Sequence, residues 1–223
     1  MTPPVAPRSI AKEGRKYKGI DPLARRAQRR AQLIEAGMQV FGSQGFHSAT
    51  VKQICTAAGL TERYFYESFE NLNALFIATY DHGLERLRAV LTQALASAPR
   101  EVDAMAEVLL RAYFSFLRRE PELTRICLIE IYGTVQDMNR LYQRGVVDFA
   151  QLIRGIVDAN FRFDARSRLD GGLLAIALVG ASVHLATGWY LSGYRASVET
   201  MVANAHTIIT AVTDRLAASR KPA

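Results

Sequence analysis

The sequence predicts an all-α protein. Apolar residues recur at spacings of three and four through most of the chain, and no segment alternates apolar and polar residues between turn signals as a strand would. The composition, 49% apolar and 22% charged over 223 residues, is sufficient for a globular core. About nine helices follow from this pattern. They form a short N-terminal group over 23–76 and a longer C-terminal group over 77–223, preceded by an arm over 1–22.

The positive charge is concentrated at the N-terminus. Residues 1–30 contain nine Lys or Arg and two Asp or Glu, and nine minus two equals +7, the net charge of the whole chain. A basic arm on a neutral body predicts an anionic partner, and nucleic acid is favoured over a membrane surface because the arm lacks an apolar face. The alternative is a solubilising tail. Four of the seven prolines lie in 1–22, so we expect a flexible arm.

The first predicted helix covers 23–43, and Gly42 and Gly45 are the signals that end it. Its expected apolar face consists of Ala27, Ala31, Leu33, Ile34, Met38, Val40 and Phe41.

Two short helices follow the first, and a tight turn separates them. Thr50 is a suitable N-cap for a helix over 51–58, and Thr61 is a suitable N-cap for a helix over 62–69. Gly59 lies between them, where a left-handed backbone is easily adopted only by glycine. Two short helices joined by such a turn form a helix-turn-helix unit.

The second short helix is rich in aromatic residues. We expect Phe65 and Phe69 to join the core of the three helices. Tyr64 and Tyr66 are two positions apart and cannot share one helix face, so at least one should point outward. An exposed tyrosine hydroxyl can bond a phosphate oxygen or lie against a base.

The remaining helices are longer. Asn71 is placed to cap one that runs to Pro99, and five others are predicted over 102–118, 122–132, 136–159, 169–191 and 197–216.

The segment Leu173–Leu191 has 19 residues without a formal charge, close to the length of a membrane span. Glycine and polar residues dilute its apolar character, so we interpret it as a helix buried on several sides in a soluble protein. A membrane anchor is the alternative. An apolar helix must be covered, and a second copy of the chain is a natural cover.

Residues 26–76 resemble the N-terminal domain of the TetR family of bacterial transcriptional regulators. The resemblance rests on the order and spacing of the first-helix pattern, Gly45-Phe46, Thr50, Ile54, Ala57, Gly59-Leu60-Thr61 and the pair Tyr66 and Phe69. It implies a homodimer that reads a palindromic operator in double-stranded DNA, with one recognition helix per subunit in adjacent major grooves. It also implies a dimer interface built from helices 169–191 and 197–216, and a C-terminal cavity for a small-molecule effector.

The resemblance assigns DNA-binding roles to six residues: Thr50, Lys52, Thr61, Arg63, Tyr64 and Tyr66. The two threonines would cap helices and touch phosphates, Lys52 and Tyr66 would contact phosphates, and Arg63 and Tyr64 would reach base edges. The alternative for Arg63 is a surface pair with Glu62 or Glu67. The sequence departs from the family pattern, which often has a lysine near Glu62, glycine at Arg63 and lysine at Leu72. Arg15, Lys16 and Lys18 of the arm are candidates for a minor groove.

Candidate ligand contacts are the apolar and aromatic residues of the middle helices, namely Met105, Leu109, Tyr113, Phe116, Ile129, Tyr132, Phe149 and Ile153. For each of them, plain core is the simpler interpretation and a ligand contact is the alternative. They suggest a hydrophobic effector.

No enzyme, metal site or cofactor is predicted. The four histidines, His47, His82, His184 and His206, do not pair with each other or with a cysteine at metal-ligand spacing, and no phosphate-loop, dinucleotide or nucleophile-elbow motif occurs. Cys55 and Cys127 are far apart, which favours a reducing compartment, and the first residues lack the apolar run of a secretory signal. We therefore expect a cytoplasmic, ligand-responsive DNA-binding regulator, most simply a repressor. The alternatives are an activator, a low-specificity DNA binder of the same fold, and a membrane-anchored helical protein.

Overall fold

The computed structural model describes residues 21–132, 136–161 and 169–218. These residues form nine α-helices and one 3-10 turn, without a strand among them, which confirms the all-α prediction. The helices are α1 (Pro22–Gln44), α2 (Val51–Ala58), α3 (Glu62–Tyr66), α4 (Leu72–Ser97), α5 (Val102–Arg119), α6 (Pro121–Leu128), α7 (Gln136–Asn160), α8 (Gly171–Leu191) and α9 (Val198–Ala218), and the 3-10 turn is Glu130–Tyr132. Residues 1–20 of the predicted arm, with Arg15, Lys16 and Lys18, lie outside the described residues, whereas Asp21 and Pro22, also assigned to the arm, form the N-cap and first residue of α1.

Helices α1 to α3 form the N-terminal head around a small aromatic core. The rings of Phe41, Phe46 and Phe76 are in mutual contact, with centroid distances of 5.6, 5.4 and 5.1 Å. Phe65 and Phe69 are buried, as predicted. The apolar face of α1 is shorter than expected, because its buried residues begin at Leu33 and the predicted Ala27 and Ala31 are exposed. The first turns of α1 extend beyond the core.

Helix α4 belongs to both parts of the chain. Asn71 caps it, as predicted, by accepting a hydrogen bond from the Ala74 N–H at 2.9 Å. Its first turns bury Leu75 and Phe76 in the head, and its later turns bury Leu87 and Leu91 among the C-terminal helices. The predicted domain boundary at residue 76 therefore lies inside a continuous helix.

Helix α6 is packed against α1 and α4 at two glycines. A Cβ atom at Gly42 would lie 2.3 Å from the Glu122 Cβ, and one at Gly83 would lie 2.6 Å from a methyl group of Leu123. The helix is also shorter than the predicted 122–132. It ends at Leu128 and continues as the 3-10 turn, where the Glu130 side chain bends back toward the head.

The C-terminal part consists of two helix pairs. Helix α5 packs along α9, and α7 packs along α8. The end of α8 is held by Trp189, whose indole N–H donates to the Ala196 carbonyl at 2.9 Å. Its ring contacts Phe114 and Tyr194.

Helix α8 is the one described helix that is long and apolar enough to cross a membrane, and only 11% of the relevant window is buried. Within one chain the helix is therefore not buried on several sides, which leaves an apolar surface for the second copy that was expected to cover it. One side of the helix, with Ala175 and Ala186, is packed against the protein. The opposite side carries exposed apolar residues, including Leu173, Ile176 and Leu191.

Candidate nucleic-acid interface and ligand cavity

The turn between α2 and α3 fixes the direction of α3. Gly59 has φ +65° and ψ +30°, a left-handed conformation, and its N–H donates to carbonyls at the end of α2. The Leu60 N–H donates to the Cys55 carbonyl at 2.9 Å. Helix α3 then buries Phe65 completely and leaves Tyr66 59% exposed. The turn thus directs one aromatic residue into the core and another to the surface.

Thr50 and Thr61 occupy equivalent N-cap positions but behave differently. The Thr50 hydroxyl accepts from the Gln53 N–H at 3.2 Å, and the Gln53 side chain accepts from the Thr50 N–H at 2.8 Å, which is a complete capping box. Thr61 has extended backbone angles but makes no side-chain cap hydrogen bond. The prediction that its hydroxyl caps α3 was wrong. Both residues are exposed, as is Lys52 on α2.

Three arginines of α1 lie over α3. Arg26 donates to the Glu67 carbonyl at 2.7 Å, the Arg29 guanidinium lies 4.4 Å from the centre of the Tyr64 ring, and that of Arg30 lies 4.7 Å from the Phe69 ring. Such stacking is attractive because the aromatic face is electron-rich. Sequence reasoning counted these arginines with the basic arm. Their spacing on consecutive turns of α1 indicated that they share one face of that helix. The residues that they contact could not be identified from the sequence.

Glu67 connects Arg63 to Arg29. The Arg63 Nε lies 3.1 Å from one Glu67 carboxylate oxygen, and Arg29 Nη2 lies 3.6 Å from the other. The Arg63 side chain is 84% exposed. An ion pair this exposed contributes only about 0–1 kcal/mol, so a nucleic acid can replace it at little cost. The surface alternative for Arg63 is therefore realised in the free protein. Tyr64, predicted to reach a base edge, is partly buried beneath Arg29.

A cavity of about 170 Å³ lies among the C-terminal helices. One water molecule needs roughly 10–15 Å³ on this measure, so the cavity is large for an interior void. Five of the eight predicted ligand residues line it, namely Met105, Leu109, Tyr113, Phe149 and Ile153. Phe116 and Ile129 are not among the lining residues, and the Tyr132 side chain lies outside the described part of the chain.

The cavity wall contains no charged side chain among its described lining residues. Its polar groups are tyrosine, serine and threonine hydroxyls and the Cys127 thiol. The Ser182 hydroxyl donates to the Leu178 carbonyl at 3.0 Å, so part of this polarity is satisfied within the wall. Burial raises the pKa of the Cys127 thiol to about 12, so the group is a neutral thiol at physiological pH. The cavity suits an apolar, uncharged portion of a ligand.

Sequence reasoning missed the cavity residues on α4, α6 and α8, such as Leu84, Cys127, Leu178 and Val183. Each has the spacing of ordinary core, and no local signal distinguishes a core position from a cavity wall. Within the described residues, no group of three or more His, Cys, Asp or Glu side chains is arranged to hold a metal ion.

The two N-cap threonines make a matched pair of substitutions. We expect Thr50→Ala to lower the free energy of unfolding by about 0.5–2 kcal/mol because it removes a capping hydrogen bond. Thr61→Ala should change it by less than about 0.5 kcal/mol, since no such bond is lost. Equilibrium urea unfolding of both variants beside the wild-type protein checks this. An equal loss in the two variants would contradict the assignment of the cap to Thr50 alone.

Comparison with known proteins places this geometry in a family. The model described as bacterial regulatory proteins of the tetR family matches residues 33–79, which include the second half of α1, all of α2 and α3, and the first turns of α4. An uncharacterized HTH-type transcriptional regulator of Bacillus subtilis (strain 168), YdgC, is 26% identical over 170 residues, covering 74% of this chain and 83% of the relative.

Solved structures agree with the fold over a larger part of the chain. The fatty acid degradation regulator FadR from Bacillus halodurans has a TM-score of 0.70 and 19% identity, with coverage of 86% of this chain and 96% of the other. The regulator FadR from Bacillus subtilis, in complex with stearoyl-CoA, has a TM-score of 0.68 and 15% identity, with coverage of 80% and 96%. The helix-turn-helix head over residues 33–79 therefore carries the DNA-binding domain of the tetR family of bacterial regulatory proteins, and the chain shares the overall fold of these solved regulators.

Proposed function

We propose that this DNA-binding regulator is a cytoplasmic homodimeric repressor, released from a palindromic operator by a ligand with a long aliphatic chain. The observation that carries the proposal is the presence, in one chain, of an exposed recognition surface on α3 and a large cavity with a charge-free wall. Helix α4 runs from the core of the first to the wall of the second. A ligand acts on DNA binding only through its different affinities for two arrangements of the protein, and a shared helix can carry that difference.

The proposed DNA contacts divide into phosphate-binding and base-reading groups. The phosphate-binding group consists of exposed residues at the starts of the two short helices or on them, where they can reach phosphates: Thr50 and Lys52 for α2, and Thr61 and Tyr66 for α3. Arg63 is the proposed base-reading residue, because its guanidinium can exchange Glu67 for guanine O6 and N7. Tyr64 is better placed to support Arg29 than to reach a base.

The proposed dimer interface follows from the exposed side of α8. Its exposed residues recur at three-, four- and seven-residue spacings and so form one stripe, composed of Leu173, Ile176, Ala177, His184, Gly188 and Leu191. Helix α9 adds Ile208, which is 42% exposed. A lone membrane-spanning helix would face lipid on all sides, whereas α8 lines the cavity with Leu178, Val179 and Val183. A second copy of the chain therefore suits the stripe better than a bilayer.

The proposed ligand places its aliphatic chain in the cavity and its charged group outside. An ionised carboxylate enclosed by an uncharged wall would cost several kcal/mol, so the charged end should remain in water. The structure of FadR from Bacillus subtilis contains stearoyl-CoA. Stearoyl-CoA is therefore a suitable probe for the proposed class of ligand.

Arg63 should control operator specificity. We expect Arg63→Ala to reduce discrimination between the operator and a sequence with one changed guanine by about 1–3 kcal/mol. Arg100→Ala, which removes an exposed arginine between α4 and α5, should leave it unchanged. Fluorescence anisotropy with the palindrome flanking the coding sequence, at about 150 mM salt with unrelated competitor DNA, measures both. Identical discrimination in the two variants would contradict the base-reading role.

The α8 stripe should control assembly. We expect Ile176→Asp to convert the dimer to monomer, because it places an unpaired carboxylate in an apolar interface. Val147→Asp makes the same kind of change at an exposed valine of α7 outside the stripe and should leave the dimer intact. Sedimentation velocity at micromolar concentrations distinguishes these states. A dimeric Ile176→Asp variant would assign the interface to another surface.

Cavity volume should control the ligand response. We expect stearoyl-CoA to weaken operator binding by about tenfold or more, equivalent to about 1.4 kcal/mol, whereas CoA alone has no effect. Ala106→Phe adds a ring within the cavity wall and should abolish the response while operator affinity without ligand is retained. Operator titrations with and without each compound test this. An undiminished response of the Ala106→Phe variant would place the ligand elsewhere.

A further inference from the structure

We infer that Arg125 and Glu130 are positioning residues that hold the start of the helix-turn-helix in its DNA-binding arrangement and join it to the cavity wall. The inference rests on the proposed function for its ligand readout, but the contacts themselves do not depend on a ligand. Neither residue reaches the DNA-facing side of α3. Both belong to the α6 region of the C-terminal part, more than 75 positions after the turn that they contact.

Arg125 caps the end of α1 from outside that helix. Its Nη1 donates to the Ser43 carbonyl at 2.7 Å, close to the Gly42 carbonyl at 3.5 Å. The last carbonyls of a helix lack partners within the helix and carry partial negative charge, so a guanidinium there is stabilising. The Nε of the same side chain donates to Glu130 Oε1 at 2.8 Å. The Arg125 guanidinium is therefore held on two sides, by the end of α1 and by Glu130.

Glu130 holds the residue that follows α1 and Gly45. Its second oxygen, Oε2, accepts a hydrogen bond from the Phe46 N–H at 2.9 Å, and its side chain is only 12% exposed. Gly45 lies between the two charged groups with φ +86°. A Cβ atom there would be 2.9 Å from the Arg125 guanidinium and 3.1 Å from Glu130. The pair therefore closes around a turn that only glycine fits.

Only a few residues separate Phe46, which Glu130 holds, from Thr50, the first of the proposed DNA contacts. The Phe46 carbonyl accepts from the Ala49 N–H at 3.1 Å, and Thr50 then caps α2. The Phe46 ring is also locked between Phe41 and Phe76. A displacement of the Arg125–Glu130 pair would therefore shift Thr50 and the start of α2, on which the direction of α3 depends.

Toward the other side, the pair lies next to the cavity. Cys127 and Leu128, between Arg125 and Glu130 in the chain, both line it. Helix α6 cannot slide independently of its neighbours, because Gly42 and Gly83 allow no gap between α6, α1 and α4. A ligand that displaces Cys127 and Leu128 would move the pair, and with it the end of α1. This assigns the coupling of cavity and head to one ion pair.

The test uses Glu130→Gln and Glu130→Ala in the full-length dimer, with Asp81→Asn as the matched control. Asp81 pairs with Arg144, so that its ion pair joins α4 to α7 and not to α1 or the turn after it. Hydrogen exchange of the amides over 46–54 is the first readout and needs neither DNA nor ligand. We expect exchange to become about tenfold faster in Glu130→Ala, intermediate in Glu130→Gln and unchanged in the control, since opening of this turn is local.

The second readout is coupling, measured as the ratio of operator dissociation constants with and without stearoyl-CoA. In the Glu130 variants we expect a weaker operator complex without ligand and a ratio that falls toward one, while direct binding of stearoyl-CoA keeps its wild-type affinity. A merely structural role would leave the ratio unchanged.

If the amides over 46–54 of folded Glu130→Ala exchange at the wild-type rate, the inference is overturned, whatever the result of the operator-binding measurements. Faster exchange with an unchanged ratio overturns the coupling role. If operator binding by the wild-type protein does not respond to stearoyl-CoA, the proposed ligand is wrong. The positioning role is then decided by the exchange rates over 46–54 and by operator affinity without ligand. Glu130→Gln, which preserves the side-chain volume, keeps the test valid if Glu130→Ala does not fold.

Discussion

The recognition unit depends on a core that it cannot build alone. Helices α2 and α3 contain eight and five residues, too few for a stable isolated helix in water. They are held because Phe65 is buried completely and because Phe41 and Phe46 pack on Phe76 of α4. The helix that steadies the DNA-reading surface therefore also reaches the cavity, with Tyr80 and Leu84 in its wall. Stability of the head and the proposed response to a ligand therefore depend on the same helix, α4.

Local signals predicted the local structure well. Thr50, Gly59 and Asn71 act on backbone groups within a few positions of themselves, and their caps and left-handed turn are present. Thr61 has the same residue type and the same N-cap position, but its side chain makes no hydrogen bond to the start of α3, so residue type and position alone do not determine a cap. The exposure of Ala27 and Ala31 depends on how far the neighbouring helices extend, which periodicity does not contain.

The parts of the site that escaped prediction are those formed by distant segments. Arg29 meets Tyr64 and Arg125 meets Ser43 only after the helices have packed. The cavity is likewise lined by residues from α4 to α9. Leu178 and Val183 differ from a core leucine or valine only because one side of each faces the cavity instead of another side chain. Met105 and Phe149 were predicted from their place on the middle helices. Phe116 and Ile129, chosen on the same grounds, are absent from the wall, which shows how little the pattern distinguishes.

Trp189 is the only tryptophan of the chain, and its position gives the protein an intrinsic optical signal. The indole is buried at the end of α8, hydrogen-bonded to the Ala196 carbonyl and in edge contact with Phe114 and Tyr194. Phe114 belongs to α5, which lines the cavity with Met105 and Leu109, while α8 carries the exposed apolar stripe. Emission from this single indole should therefore respond both to a ligand that fills the cavity and to dissociation of the proposed dimer, so unlabelled protein can report either event in a fluorimeter.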